Sequence, residues 1–225
     1  TSEKVDPKTQ NFQVPRNYLE GMMTEIHILK DLAVAFIRAN QTEMFAAALA
    51  AVIEITNHYL SRRQGYLSNS DAYLADLSDE LRDLLLAARQ TANLHIFRIL
   101  WQGIERLAIA SFPLEIVGSK EGSHELSRPL IDLLKNNIAA DVVAARTDSA
   151  YEGTRSLGTI GVQMAERGFI KSAAEICTDL GQFVEVSTGV GQTVVSYIAK
   201  EFMAAIFLRS LAFRVLFTNY HHPYN

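Results

Sequence analysis

Apolar residues recur at steps of three and four along most of this chain, and that spacing predicts α-helices. The segment 17–39 shows the pattern first, with a shared face formed by Leu19, Met22, Ile26, Leu29, Ala33 and Phe36. The sustained period-two alternation of a β-sheet is not seen in the sequence. We therefore predict an all-α protein of about eight antiparallel helices, stacked as hairpins in a helical-repeat-like array or packed as an irregular bundle.

Turn and capping residues predict where the first helices begin and end. Asn40 precedes the second helix, which is expected to stop near Gly65. The polar stretch 66–77 then predicts a connector, and Ser78 a new helix start. A further helix is expected over 91–110. The first two helices are separated by only a few residues, so they should pair antiparallel.

The clearest break follows these helices and contains Pro113, Gly118 and Gly122. Residues of this kind in a run predict a surface loop. We divide the chain accordingly into an extended lead-in 1–16, an N-terminal helical half 17–111, a linker 112–126 and a C-terminal helical half 127–225. Both halves are expected to form one structural domain.

The C-terminal half shows its own start and stop signals. Ser127 and Pro129 indicate a helix start, because proline is tolerated in a first turn. Ser149 with Glu152 has the spacing of a capping box. Gly168 predicts a short turn, and the glycines of 188–192 predict another before a long, strongly apolar last helix over 193–218.

Two segments suggest internal repetition. Residues 32–48 and 157–173 each read as an apolar helix, a polar break and an alanine-rich helix start. They indicate either a repeated helical hairpin or two unrelated amphipathic hairpins.

Residues 153–181 (GTRSLGTIGVQMAERGFIKSAAEICTDLG) resemble α-helical repeats of the HEAT and tetratricopeptide kind. They also resemble soluble helical domains of uncharacterised bacterial membrane proteins.

Composition narrows the class of protein. Hydrophobic residues make up 48% of the chain and charged residues 20%, which permits a sizeable core. The net charge of -4 disfavours nucleic acid as a partner, because nucleic-acid binding needs a basic surface. A single cysteine, Cys177, excludes an internal disulfide and favours a reducing compartment. We expect a buried structural thiol there.

Metal and phosphate motifs are incomplete. Glu54 and His58 lie four residues apart and could share a helix face, but two ligands fall short of the usual three or four. Glu121 and His124 form a Glu-x-x-His pair within the glycine loop. The turn 188–192 lacks the lysine of a P-loop. No cofactor is therefore expected, and Glu54 with His58 is the metal candidate.

Catalytic motifs are likewise missing. The chain has no Gly-x-Ser-x-Gly elbow. Asp141 adjoins an apolar stripe, where burial would suit acid–base chemistry, although a solvated helix flank is the expected position. We expect a protein that is not an enzyme.

Candidate interaction residues fall in two places. Tyr59, Arg62, Arg63 and Tyr66 form a compact basic and aromatic patch, and Phe202 and Phe213 lie in the last helix. We expect a scaffold or regulatory domain that binds a protein partner or forms a homo-oligomer, as a fragment of a longer protein.

The alternatives are a helical sensory domain with an apolar pocket for a small molecule and a metal-dependent helical enzyme. The expected location is the cytoplasm, or the cytoplasmic part of a membrane-anchored protein. Any contact with the membrane would come through flanking segments.

Overall fold

The computed structural model of the protein describes residues 16–61, 70–112, 127–186 and 193–220. These residues form eight α-helices and no β-strand, so the prediction of an all-α fold is confirmed. The helices are α1 (Arg16–Arg38), α2 (Thr42–Ser61), α3 (Ser70–Arg89), α4 (Leu94–Ala110), α5 (Arg128–Val143), α6 (Thr147–Glu166), α7 (Ile170–Val186) and α8 (Thr193–Tyr220).

The helices pack in two layers. In one layer α1, α3, α5 and α7 lie side by side in chain order, and in the other α2, α4, α6 and α8 do the same. Each odd-numbered helix also packs against the even-numbered helix that follows it. The protein is therefore a row of four stacked helical hairpins, in which each hairpin contacts its neighbours in both layers.

The repeating unit differs from the pairing that the sequence suggested. Residues 32–48 span the turn within the first hairpin, whereas residues 157–173 span the connection from the third hairpin to the fourth. These two segments therefore occupy different positions in the array. The structural unit is one odd-numbered helix with the even-numbered helix after it.

Asparagine side chains join the turns of the first two hairpins. Asn40 adopts a positive φ of 56°, a conformation that asparagine tolerates better than most residues. Asn93 caps α4 by accepting a hydrogen bond from His95 N at 2.9 Å. The Asn93 amide also donates to Asn40 Oδ1 at 2.7 Å and to Thr42 Oγ1 at 3.0 Å. One side chain thus caps its own helix and ties neighbouring hairpins together.

The predicted connector at 66–77 is wrong over 70–77, because α3 already begins at Ser70. Leu74 and Leu77 are fully buried in the core, so the polar residues around them lie on the outer side of a helix. Ser78 is within α3 and donates to Pro129 O at 3.1 Å. It links α3 to the start of α5.

Small residues let α6 lie close to α8. A Cβ added at Gly158 would meet Phe202 Cγ at 2.1 Å, and one added at Gly161 would meet Ile206 Cδ1 at 2.5 Å. The aromatic and aliphatic side chains of α8 therefore rest directly on the backbone of α6. These contacts set which side of α8 faces the core.

A buried charge cluster joins α3, α5 and α6. Asp141 has no solvent exposure, so the solvated flank expected for it is wrong. Its carboxylate accepts hydrogen bonds from Arg89 Nε at 3.1 Å, Arg146 Nε at 2.8 Å and Ser149 Oγ at 2.6 Å. Because Arg89 precedes the break at 112–126 and Asp141 follows it, this cluster holds the two halves of the chain together.

Lys30 makes an equivalent connection between α1 and α3. Its ammonium group lies 2.9 Å from Asp31, 3.4 Å from Glu80 and 3.5 Å from Asp83. The hydrogen bond to Asp31 raises the pKa of Lys30, and the same bond lowers the pKa of Asp31. Ion pairs of this kind fix the register between neighbouring helices of one layer.

We predict that Gly158→Ala lowers the free energy of unfolding by about 1–3 kcal/mol, because the new methyl group would force the Phe202 ring off α6. Gly21→Ala is the matched control. Nothing lies within 4 Å of a Cβ there, so the alanine should stabilise helix α1 by up to about 1 kcal/mol. Urea unfolding followed by circular dichroism measures both. Equal effects at the two glycines would contradict the close approach of α6 and α8.

We also predict that Asp141→Asn destabilises the protein by about 3 kcal/mol, because it leaves two guanidinium groups without their buried carboxylate. Asp132→Asn, an exposed position on the same helix, should change the stability by less than about 0.5 kcal/mol. Urea unfolding of both variants tests this. A stability unchanged by Asp141→Asn would show that the cluster does not hold the halves together.

Candidate interaction surface

Helix α8 is the last member of its layer. It packs against α6 and α7, and its inward side buries Val195, Ala199 and Ile206. In a stacked array the next hairpin would cover the opposite side of such a helix. Within the described ranges no helix lies there. The outward side of α8 is therefore a surface at the end of the row.

Large apolar side chains cover that outward side. Phe207 is 65% exposed and Leu208 60%. Seven positions follow strict steps of three and four, and we call them the α8 seam: Val194, Tyr197, Glu201, Ala204, Leu208, Leu211 and Val215. All seven are exposed, and Phe207 flanks them. A stripe with this period is the seam through which helices pair with one another.

The charges near the seam are few and of both signs. Arg209 turns away from it and donates from Nε to Glu166 Oε1 of α6 at 2.7 Å. Within the seam, Glu201 accepts a hydrogen bond from Tyr197, which raises the pKa of the Tyr197 hydroxyl. Lys200 is exposed beside Glu201. Arg214 is exposed beside Val215, near the C-terminal end of the seam. The surface is thus apolar from Ala204 to Val215, with charged residues along its edges.

The opposite end of the same layer is different. Helix α2 is its first member, and its outward positions include Glu43, Met44, Ala47, Glu54 and Asn57. Apart from Met44, short and polar side chains therefore cover that end of the array, as is usual for a terminal repeat. Of the two end helices of this layer, α8 is the one with an apolar outward side.

The aromatic residues that the sequence singled out in the last helix face inward. Phe202 is half-buried against Gly158, and Phe213 is half-buried over Gly168, where the backbone has a φ of 86°. Neither belongs to the exposed seam. Helix α8 is apolar on both sides, and periodicity alone could not tell which of its aromatic residues meets α6.

Tyr59 does not belong to an exposed patch either. It is 4% exposed, and its ring lies 4.3 Å from the ring of Tyr73. Tyr59 is therefore covered by α3, and its role as an interaction residue stays a prediction. Arg62, Arg63 and Tyr66 lie outside the described residues.

The metal candidates lie on the surface of α2. Glu54 and His58 are both exposed, four residues apart. In the described part of the chain, no group of three or more histidine, cysteine, aspartate or glutamate residues could hold a metal ion. Glu121, His124 and the glycine turn at 188–192 lie outside the described residues. The two side chains on α2 remain a pair without a third ligand among the described residues.

A cleft of about 300 Å³ separates α5 from α7. Ile131, Met164 and Ile176 contribute its apolar lining. Ion pairs span it, since Arg128 Nη2 lies 3.3 Å from Glu175 Oε2 and Lys135 pairs with Asp179. The cleft lies away from the first, second and last helices, whose side chains suggested an apolar ligand pocket. Its rim is charged and already neutralised by these pairs.

Asp141, the candidate for acid–base chemistry, and the thiol of Cys177 are both engaged in structure. Asp141 is held by two guanidinium groups and a hydroxyl, which leaves its carboxylate without access to solvent. Cys177 is partly buried where α7 meets α8, with Sγ 3.9 Å from Met203 O. Burial raises the pKa of its thiol. A raised pKa leaves less of the nucleophilic thiolate at neutral pH.

We predict that Cys177 in the native protein reacts with iodoacetamide several-fold more slowly at pH 8 than in urea. The raised pKa shifts thiolate formation to higher pH, so the native rate should also reach half its maximum at a higher pH than the unfolded rate does. Mass spectrometry over time measures both rates. A native rate equal to the unfolded rate would contradict the packing of α7 on α8 around this thiol.

Helices of the described residues are all too short or too polar to cross a membrane. No protein-family model, curated protein or solved structure matches this chain.

Proposed function

We propose that this chain is a non-enzymatic helical scaffold or regulatory domain that acts through protein–protein association. The observation that carries this proposal is the apolar seam on the outward side of α8. Contiguous exposed apolar surface of this kind marks interaction sites in folded proteins. The seam lies on a rigid helix, so it is presented without the cost of ordering a loop.

The energetics favour a covered seam. Full burial of a large apolar side chain contributes about 1.5–3 kcal/mol, and about half of that remains available at each half-exposed position. Phe207, Leu208, Leu211 and Val215 are each 49–65% exposed. Their combined burial can offset the loss of translational and rotational freedom on association.

The charges support a protein partner over a membrane surface. Helices that lie on membranes usually carry lysine and arginine on the side opposite their apolar stripe. In α8 that opposite side packs on α6 and α7, and Arg209 is paired with Glu166. The exposed Lys200 and Arg214 lie beside the seam, not opposite it. Glu201 lies within the seam, where it would face acidic lipid headgroups. A protein surface can be complementary to this mixture of apolar and charged residues.

Site-specific photo-crosslinking in the native host tests the proposal. A photoreactive amino acid at Leu211 should give a discrete adduct with a protein, whereas the same group at Leu86, equally exposed on α3, should not. Adding Leu208→Glu should remove the Leu211 adduct, because a buried charge opposes association. Absence of an adduct at Leu211, or equal adducts at both positions, would overturn the proposed function.

A further inference from the structure

We infer that the seam binds a second copy of this chain, with two α8 helices antiparallel across a twofold axis that passes between Leu208 and Leu211. This inference rests on the proposed function and names the partner. It follows from the spacing of the seam, the order of large and small residues along it, its charges and its area. Each of these can be read from the exposed positions of α8.

The spacing suits a pair of helices. Positions 194, 197, 201, 204, 208, 211 and 215 alternate steps of three and four over three heptads. At 1.5 Å per residue the seam is about 32 Å long. Ala199 and Ile206 lie at the heptad position opposite the seam and are buried against the rest of the protein. Helix α8 can therefore pair along the part of its seam from Ala204 to Val215 without leaving α6 or α7.

The seam residues of one copy are complementary in size to those of a second copy that runs antiparallel to it. With the axis between Leu208 and Leu211, each Leu208 lies opposite Leu211 of the second copy. Ala204 then lies opposite Val215, a small residue against a larger one. In each copy the four seam positions nearest the axis are apolar. An interface of this kind uses the same patch on both copies, as twofold dimers require.

Glu201 selects the antiparallel arrangement. In a parallel pair each Glu201 would meet the Glu201 of the other copy inside the seam, and like charges placed together there repel. In the antiparallel pair the two Glu201 residues are about 25 Å apart along the helices. Each then lies near the rim, where solvent reaches it.

The α2 end of the row disfavours end-to-end stacking of copies, in which α8 of one copy would contact α2 of the next. The outward side of α2 has Glu43, Glu54 and Asn57 exposed, which do not match Phe207 and Leu208. An α8–α2 contact would also leave a free seam on every growing end. A closed dimer through α8 covers both seams at once.

The apolar area around the axis sets the strength of the dimer. A standard protein interface buries about 800 Å² on each partner. Phe207 is 65% exposed, and such a ring has roughly 100–150 Å² to bury. Leu208, Leu211 and Val215 are each 49–60% exposed and add to that area, so the interface belongs to the smaller and weaker class.

Analytical ultracentrifugation of the purified chain tests the inference. The wild type should sediment as a dimer at micromolar concentration, and Leu208→Glu should weaken association at least tenfold. Leu86→Glu, the same change at a half-exposed leucine outside the seam, should leave the dimer intact. Thermal unfolding by circular dichroism checks that both variants remain folded. A monomeric wild type at 100-fold higher concentration would overturn the inference.

Disulfide trapping tests the orientation. In a Cys177→Ala background, an equimolar mixture of Ala204→Cys and Val215→Cys chains should form a mixed disulfide on mild oxidation. Either variant alone should not, because identical positions are about 16 Å apart along antiparallel helices. Crosslinking of each variant with itself would indicate a parallel pair and contradict the inference.

The remaining outcomes separate this inference from the proposed function. A monomeric chain that still gives a Leu211 adduct with a different protein would overturn the second copy and leave the scaffold proposal standing. A monomeric chain without that adduct would overturn both. Binding of monomer to vesicles of phosphatidylcholine and phosphatidylserine, lost in Leu208→Glu, would also overturn both in favour of a membrane surface.

Discussion

The close contact between α6 and α8 is the constraint on which the exposure of the α8 seam depends. Gly158 and Gly161 leave no side chain on that side of α6, so Phe202 and Ile206 pack directly against its backbone. Helix α8 is apolar almost all round, and a helix of that kind has no preferred inward side of its own. The glycines of α6 supply the preference. Once Phe202 and Ile206 face inward, the residues from Val194 to Val215 that form the seam must face out.

Charge pairs between neighbouring helices keep the rest of the array in register. Lys30 joins α1 to α3, Arg89 joins α3 to α5, and Arg128 and Lys135 join α5 to α7. Isolated surface pairs add little stability. Asp141 differs because it is buried, so its partners must remain in place for the core to form. The row thus combines apolar packing with charge pairs that join the helices of the odd-numbered layer.

A stacked array has two ends, and the chemistry of its ends decides whether it remains a single molecule. Here the α2 end is polar and alanine-rich and the α8 end is apolar. Burial of apolar surface stacks one hairpin on the next, and apolar surface is also exposed on the outward side of α8. In the proposed dimer, the contact past α8 differs from the internal ones because its partner comes from a second copy.

The sequence by itself determined the helical class and most helix boundaries, because periodicity and caps are local signals. The start of α5 after Ser127 and the end of α6 before Gly168 are examples. It missed the helical character of 70–77, where polar residues on the outer side of α3 resemble a connector. It also selected Phe202, Phe213 and Tyr59 as surface residues. Only the tertiary structure decided which side of α8 is exposed, that Asp141 is buried and that Tyr59 is covered by Tyr73. Each of those outcomes depends on a residue from another helix, so the periodicity of a single segment does not predict it.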